Sequence, residues 1–162
     1  MKSVSKDLII LIPCVVLIAL SIVVLRSLAP SIFPGYFIYI FLSFLVFFLF
    51  SRINLEIFFF FSKHLYFLSI VLLILPLFFG QVTRGAIRWI PIGPITIQPS
   101  EITRPFLLLF FANYLAYKEF DFKLLLKSFL YFLIPIVLIL VQPSLGVAFL
   151  TPVGFLGVLL AS

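Results

Sequence analysis

Acidic residues are nearly absent from this chain. Asp7, Glu56, Glu101, Glu119 and Asp121 are the only five in 162 residues, and charged residues of both signs make up just 10%. A soluble domain carries about 25%. With hydrophobic residues at 65% and a mean hydropathy of +1.39, a soluble fold would expose wide apolar patches, so the composition points to an integral membrane protein. The single cysteine, Cys14, excludes an internal disulfide. Set within an apolar run, it reads as a small buried hydrophobe. The single histidine, His64, stands beside Lys63 without a second ligand cluster, which makes it an interfacial residue and not a metal ligand. A glycine-rich phosphate loop, a Ser/His/Asp set and paired carboxylates are all missing. The net charge of +6 does not imply nucleic acid, because the cations are spread between apolar runs and no nucleic-acid module is readable.

What the chain has in quantity is apolar sequence. Six runs separate out, at 8–25, about 36–50, 64–79, 101–117, 128–141 and 147 onward. At roughly 20 residues per crossing they predict an all-α integral membrane fold of about six transmembrane helices in a single transmembrane domain, 1–162. The first run follows a short basic stretch, as a secretory leader does. Ser27-Leu28-Ala29 before Pro30 is a poor cleavage site, however, so the run is expected to be a retained helix. Residues 52–63 mix Arg52, Glu56 and Lys63 with aromatics. They fit an interfacial helix and equally an extension of the flanking helices. Residues 118–127 read as a charged connector, and Gly154 and Gly157 as points of close helix approach.

The cations set an orientation. With the N-terminus cytoplasmic, Lys2, Lys6, Arg52, Lys63, Lys118, Lys123 and Lys127 fall inside, while Arg26, Arg84, Arg88 and Arg104 fall outside. Seven against four agrees with the positive-inside bias. The loop between the third and fourth helices then lies on the outer face, and its arginines oppose that bias.

That loop, TRGAIRWIPIGPITIQPSEITR at 83–104, is the polar exception in the chain. Ile90, Ile92, Ile95 and Ile97 alternate around Gly93-Pro94, which predicts a structured outer loop containing a short ribbon with one apolar face packed down. Gln98-Pro99-Ser100-Glu101 reads as a helix start, with Ser100 or Thr103 as the cap. Charges at membrane depth tend to mark ligand paths or mutual pairing. One interpretation is that Glu101 neutralises Arg88 or Arg104 in a lid without a ligand. The other is an anion site, in which surplus arginine forks meet phosphate oxygens. Glu101 is the one acid available on that side.

The motif Gly85-Ala86-x-Arg88-Trp89-Ile90, then Gly93, then Gln98-Pro99-Ser100-Glu101, resembles the shape, elongation, division and sporulation family (RodA, FtsW, SpoVE). Ala112-Asn113-Tyr114-Leu115 continues the resemblance, and Gln142-Pro143-Ser144-Leu145-Gly146 is similar to the family's Q-P-D-L-G. The resemblance implies a glycosyltransferase that polymerises lipid II into peptidoglycan on the outer face of the bacterial cytoplasmic membrane, in cell shape or division. Its implied partners are lipid II, a class B penicillin-binding protein and membrane lipid. Arg88, Glu101 and Arg104 would line the cavity for the lipid-linked sugar and its pyrophosphate, with Arg84, Gln98 and Ser100 beside them. Gln142, Pro143, Ser144 and Gly146 form the second motif. No cofactor is implied for this chain, and a divalent cation only for the full-length enzyme.

The chain departs from the family in three ways. Arg104 stands where Lys is more usual, and Ser144 replaces the Asp of the second motif. The family has about ten helices, with its proposed general base in a later outer loop. The expectation is therefore an N-terminal portion that is inactive alone. A flippase or other binder of a lipid-linked pyrophosphate would use the same cations and is the alternative.

Overall fold

The computed structural model describes residues 2–83, 85–93, 95–116, 121–142 and 145–162; of residues 2–8, 10, 32, 34, 82, 83 and 145 it describes the backbone only. Among the described residues there are six long helices, one short helix and a three-stranded antiparallel sheet. The chain divides into two compact units, Met1–Ile53 and Asn54–Ser162.

The first unit holds α1 (Lys2–Leu28) and α2 (Phe33–Ser51). A 3₁₀ turn over Pro30–Ile32 joins them, with proline at its start, where a missing N–H does no harm. The Ser21 and Tyr36 hydroxyls bond to each other and tie the two helices together. Cys14 is exposed and not buried as its apolar neighbours suggest. With only two helices in the unit, most apolar side chains face outward.

The second unit is built from α4 (Ser62–Phe79), α5 (Pro99–Leu115), α6 (Phe122–Val141) and α7 (Leu145–Ala161), with the short α3 (Leu55–Phe60) ahead of them. Its core is aromatic. Phe111 meets Phe155 at 4.7 Å between ring centroids, Phe132 stacks on Phe155 at 4.3 Å, and Tyr66 lies 4.4 Å from Phe110. Leu73, Leu107, Ile139 and Val147 complete it. The fully buried set also contains Ser62, Ser69, Ser100, Thr103, Ser128, Gln142 and Thr151, while Phe67, Phe78, Phe129 and Val137 are exposed. Small polar residues inward and large apolar ones outward is the arrangement a lipid solvent selects. Leu11–Leu28, Ser62–Phe79 and Phe122–Val141 are long and apolar enough to cross a membrane, and Gly35–Ser51 and Gly146–Ala161 are shorter apolar helices. The chain is thus a helical membrane protein, as its composition predicts.

Several boundaries differ from the sequence expectation. The fifth run begins at Phe122, so Lys123 and Lys127 belong to α6 and not to a connector. Residues 52–63 do not simply prolong their neighbours. α2 stops at Ser51, and α3 is a helix of its own, set off from α4 by Phe61. Asn113 on α5 fixes this junction, donating to the Phe59 carbonyl at 2.9 Å and to the Ser62 hydroxyl at 2.7 Å. Gly154 does sit at a close approach, since a Cβ there would lie 2.9 Å from Leu108 Cδ1. Gly157 has open space around it instead.

Candidate functional site

The loop between α4 and α5 folds as β1 (Gln81–Thr83), β2 (Ala86–Ile92) and β3 (Ile95–Ile97) in the order β1-β2-β3. The expected ribbon is the β2–β3 hairpin. Ile90 pairs with Ile97 and Ile92 with Ile95, so the four isoleucines form two cross-strand pairs. Ile90, Ile95 and Ile97 are half-buried, but Ile92 is exposed, so the apolar face is only partly covered. Gly93 opens this turn at φ 61° and Gly85 takes φ 77° in the preceding one, backbone conformations that favour glycine. The β1–β2 hairpin was not foreseen. Its signal was Gln-Val-Thr followed by a turn glycine.

Pairing between β1 and β2 is irregular. Gln81 faces Trp89 and Val82 faces Ile87, so one step along β1 spans two along β2. Arg88 is the extra residue. A bulge of this kind re-aims a side chain and is common beside active sites. Arg88 is half-buried, and its Nε is buried without a hydrogen-bond partner among the described residues.

β2 packs against both α4 and α5. Gly80, just after α4, permits this. A Cβ there would lie 2.3 Å from the Pro76 carbonyl oxygen and 2.6 Å from Ile87 Cγ2. α5 then begins at Pro99, with Gln98 in the cap position and proline at the first helical position. Neither Ser100 nor Thr103 caps the helix. Ser100 lies inside the first turn, fully buried, and its hydroxyl accepts from Gln98 Nε2 at 3.1 Å. Pro105 lies within the helix and leaves the Glu101 carbonyl without its usual donor.

Glu101 pairs with Arg104, Oε2 to Nη2, at 2.8 Å across one turn. Of the two partners left open for Glu101, the structure selects Arg104. The Glu101 side chain is 51% exposed and that of Arg104 21%. Among the described residues Arg104 Nε is buried without a partner, as is the hydroxyl of Thr103. Thr103, which the sequence offered only as a possible cap, is fully buried beside Arg104. Arg84, Pro143 and Ser144 lie outside the described residues. Gln142 ends α6, is wholly buried, and donates through Nε2 to the Leu73 carbonyl of α4. Gly146 is exposed in α7.

Among the described residues no group of three His, Cys, Asp or Glu side chains could hold a metal, and Glu101 is engaged by Arg104. The site can instead offer guanidinium N–H donors, and the N-terminus of α5 adds positive potential toward an anion.

Residues 3–162 match the FtsW/RodA/SpoVE family, described as cell cycle proteins. This chain belongs to that family. As a member it is similar to the probable peptidoglycan glycosyltransferase FtsW of Escherichia coli, with 35% identity over 126 residues, covering 74% of this chain and 30% of the relative. It is 38% identical over 103 residues to the peptidoglycan glycosyltransferase MrdB of Helicobacter pylori, covering 59% of this chain and 27% of that one. Among solved structures, the rod shape determining protein RodA of Thermus thermophilus superposes with a TM-score of 0.75 and 27% identity over 91% of this chain and 56% of that chain. A chain of a peptidoglycan synthase complex, solved for its coordination of polymerization and crosslinking, gives 0.76 and 30% over 85% and 42%. The FtsW/RodA/SpoVE chain described here thus spans about a quarter to somewhat over half of the length of these relatives.

Proposed function

We propose that this chain forms the lipid-precursor-holding part of a peptidoglycan glycosyltransferase that polymerises lipid II. The observation that carries it is the pair of arginines, Arg88 on the β2 bulge and Arg104 on the first turns of α5, each with a buried and unpartnered Nε. An unpaired guanidinium donor away from water is costly, and a pyrophosphate oxygen supplies the missing acceptor with a charge-assisted bond.

The sheet end of the second unit lies at the outer face of the bacterial cytoplasmic membrane, with the N-terminus inside, in agreement with the cation count. Arg88 and Arg104 grip the undecaprenyl pyrophosphate and steady it as it becomes the leaving group. Glu101 occupies one nitrogen of the Arg104 fork until the ligand competes for it, and Gln98 and Ser100 shape the turn beneath it. Arg84 and the second motif, Gln142 to Gly146, are proposed to serve the same ligand. The base that activates the acceptor hydroxyl is supplied from outside these residues. A class B penicillin-binding protein is the proposed partner, supported by the similarity to a synthase complex that couples polymerization to crosslinking.

The test is direct binding of lipid II to the protein in lipid nanodiscs. Arg88→Ala and Arg104→Ala should each weaken binding about tenfold or more, as expected for one charge-assisted contact. Unchanged affinity in both would remove the proposal. A glycan product formed by this chain alone would overturn the assignment of the base elsewhere.

A further inference from the structure

We infer that Gln142 is a positioning residue that sets the seat of Arg88 by holding α4 at its weak point. Gln142 is wholly buried at the end of α6, and its Nε2 donates to the Leu73 carbonyl. Its Oε1 is buried and has no partner among the described residues. An orphaned acceptor of that kind offsets what the amide's one hydrogen bond contributes, so stability alone does not account for a glutamine here.

What the amide does fix is geometry. Leu73 stands three residues before Pro76, which lies inside α4 and cannot bond the Leu72 carbonyl. The grip therefore falls on the core side of a break in the helix ladder. On the far side, Gly80 lies against both the Pro76 carbonyl and Ile87. Ile87 is the residue before Arg88, the extra residue of the bulge. One path thus runs from Gln142 to Leu73 by a hydrogen bond, along α4 to Pro76, and through Gly80 to Ile87 and its chain neighbour Arg88. It leads from the second sequence motif to the first. Contiguity suggests coupling, and only a perturbation establishes it.

Trp89 is the chain's only tryptophan. It is half-buried and adjoins Arg88, so it reports the sheet's seat without a label. In Gln142→Leu, which removes donor and orphan together, helicity and melting temperature should be kept, while Trp89 emission shifts to the red and acrylamide quenching increases. Thr151→Val is the control. It removes a buried hydroxyl that donates to the Val147 carbonyl of its own helix and should leave Trp89 unchanged. Gln142→Met serves as the second variant. Folded variants with the parent's Trp89 emission and quenching would overturn the inference. Loss of fold in both would overturn it too, by marking Gln142 as a residue of stability. The functional consequence rests on the lipid-binding role proposed for Arg88. If Trp89 responds while Arg88→Ala binds lipid II normally, the positioning stands and the lipid assignment fails.

Discussion

The Tyr66 hydroxyl donates to the carbonyl of Tyr131 at 2.8 Å, and Tyr131 stands four residues before Pro135. That carbonyl is the one Pro135 cannot bond, so the tyrosine of α4 satisfies an acceptor that proline leaves open in α6. Tyr66→Phe should lower stability by about 1 kcal/mol, the loss of a hydrogen bond to a part-buried acceptor. In a Pro135→Ala background the helix regains its own donor, and the same change should cost less. A double-mutant cycle of unfolding in detergent micelles measures the difference.

Gly80 admits no side chain without movement of α4 or β2. Gly80→Ala should destabilise by about 1–3 kcal/mol, in the range of overpacking, and should shift Trp89 emission by displacing the sheet. A change in melting temperature with no change at Trp89 would mean that α4, and not the sheet, gives way.

The two glycines of α7 should part company. Gly154→Val pushes directly on Leu108 of α5 and is expected to cost about 1–3 kcal/mol. Gly157→Ala meets open space and should be neutral or slightly stabilising, since alanine is favoured over glycine in a helix by about 1 kcal/mol. Thermal melts of the two variants side by side decide this.

Glu101 and Arg104 form a pair with a half-exposed carboxylate. Such pairs contribute little, about 0–1 kcal/mol, so Glu101→Gln should leave the melting temperature almost unchanged. It frees the Arg104 fork, and lipid II binding should tighten. Weaker binding would show that the carboxylate contacts the ligand itself.

Asn113 holds the α3–α4 junction through two acceptors, one of them a backbone carbonyl. Asn113→Leu leaves both without that donor. Limited proteolysis should then cut within residues 52–63 faster than in the parent, while the aromatic core of α4–α7 stays protected.

The helical membrane fold was legible because its cause is composition. Six apolar runs in so short a chain permit little else, and their order matches the six long helices. The β2–β3 hairpin was legible from the alternating isoleucines. Helix ends were harder to read. The start of α6 was hidden because Lys123 and Lys127 look like loop residues, whereas long cationic side chains are tolerated in the first turns of a helix near an interface. The start of α5 was misplaced because Ser100 and Thr103 are good capping types. Pro99 claims the first helical position and leaves both of them inside. Of the site, the residue types of the Glu101–Arg104 pair were visible, but not the choice of partner, which depends on the one-turn spacing being helical. The bulge at Arg88 was invisible, because register is a property of two strands and the second, β1, carries almost no pattern of its own.

That bulge makes strand length a constrained quantity. β2 is one residue longer than its partner requires, and the surplus residue is the arginine. Removing any single residue between Ala86 and Trp89 would let the ladder close into a regular one. The hairpin would be better paired, yet the guanidinium would be lost or turned to the other side. Deletions here should therefore be as damaging to ligand retention as loss of Arg88 itself, even where they leave the sheet more regular than before.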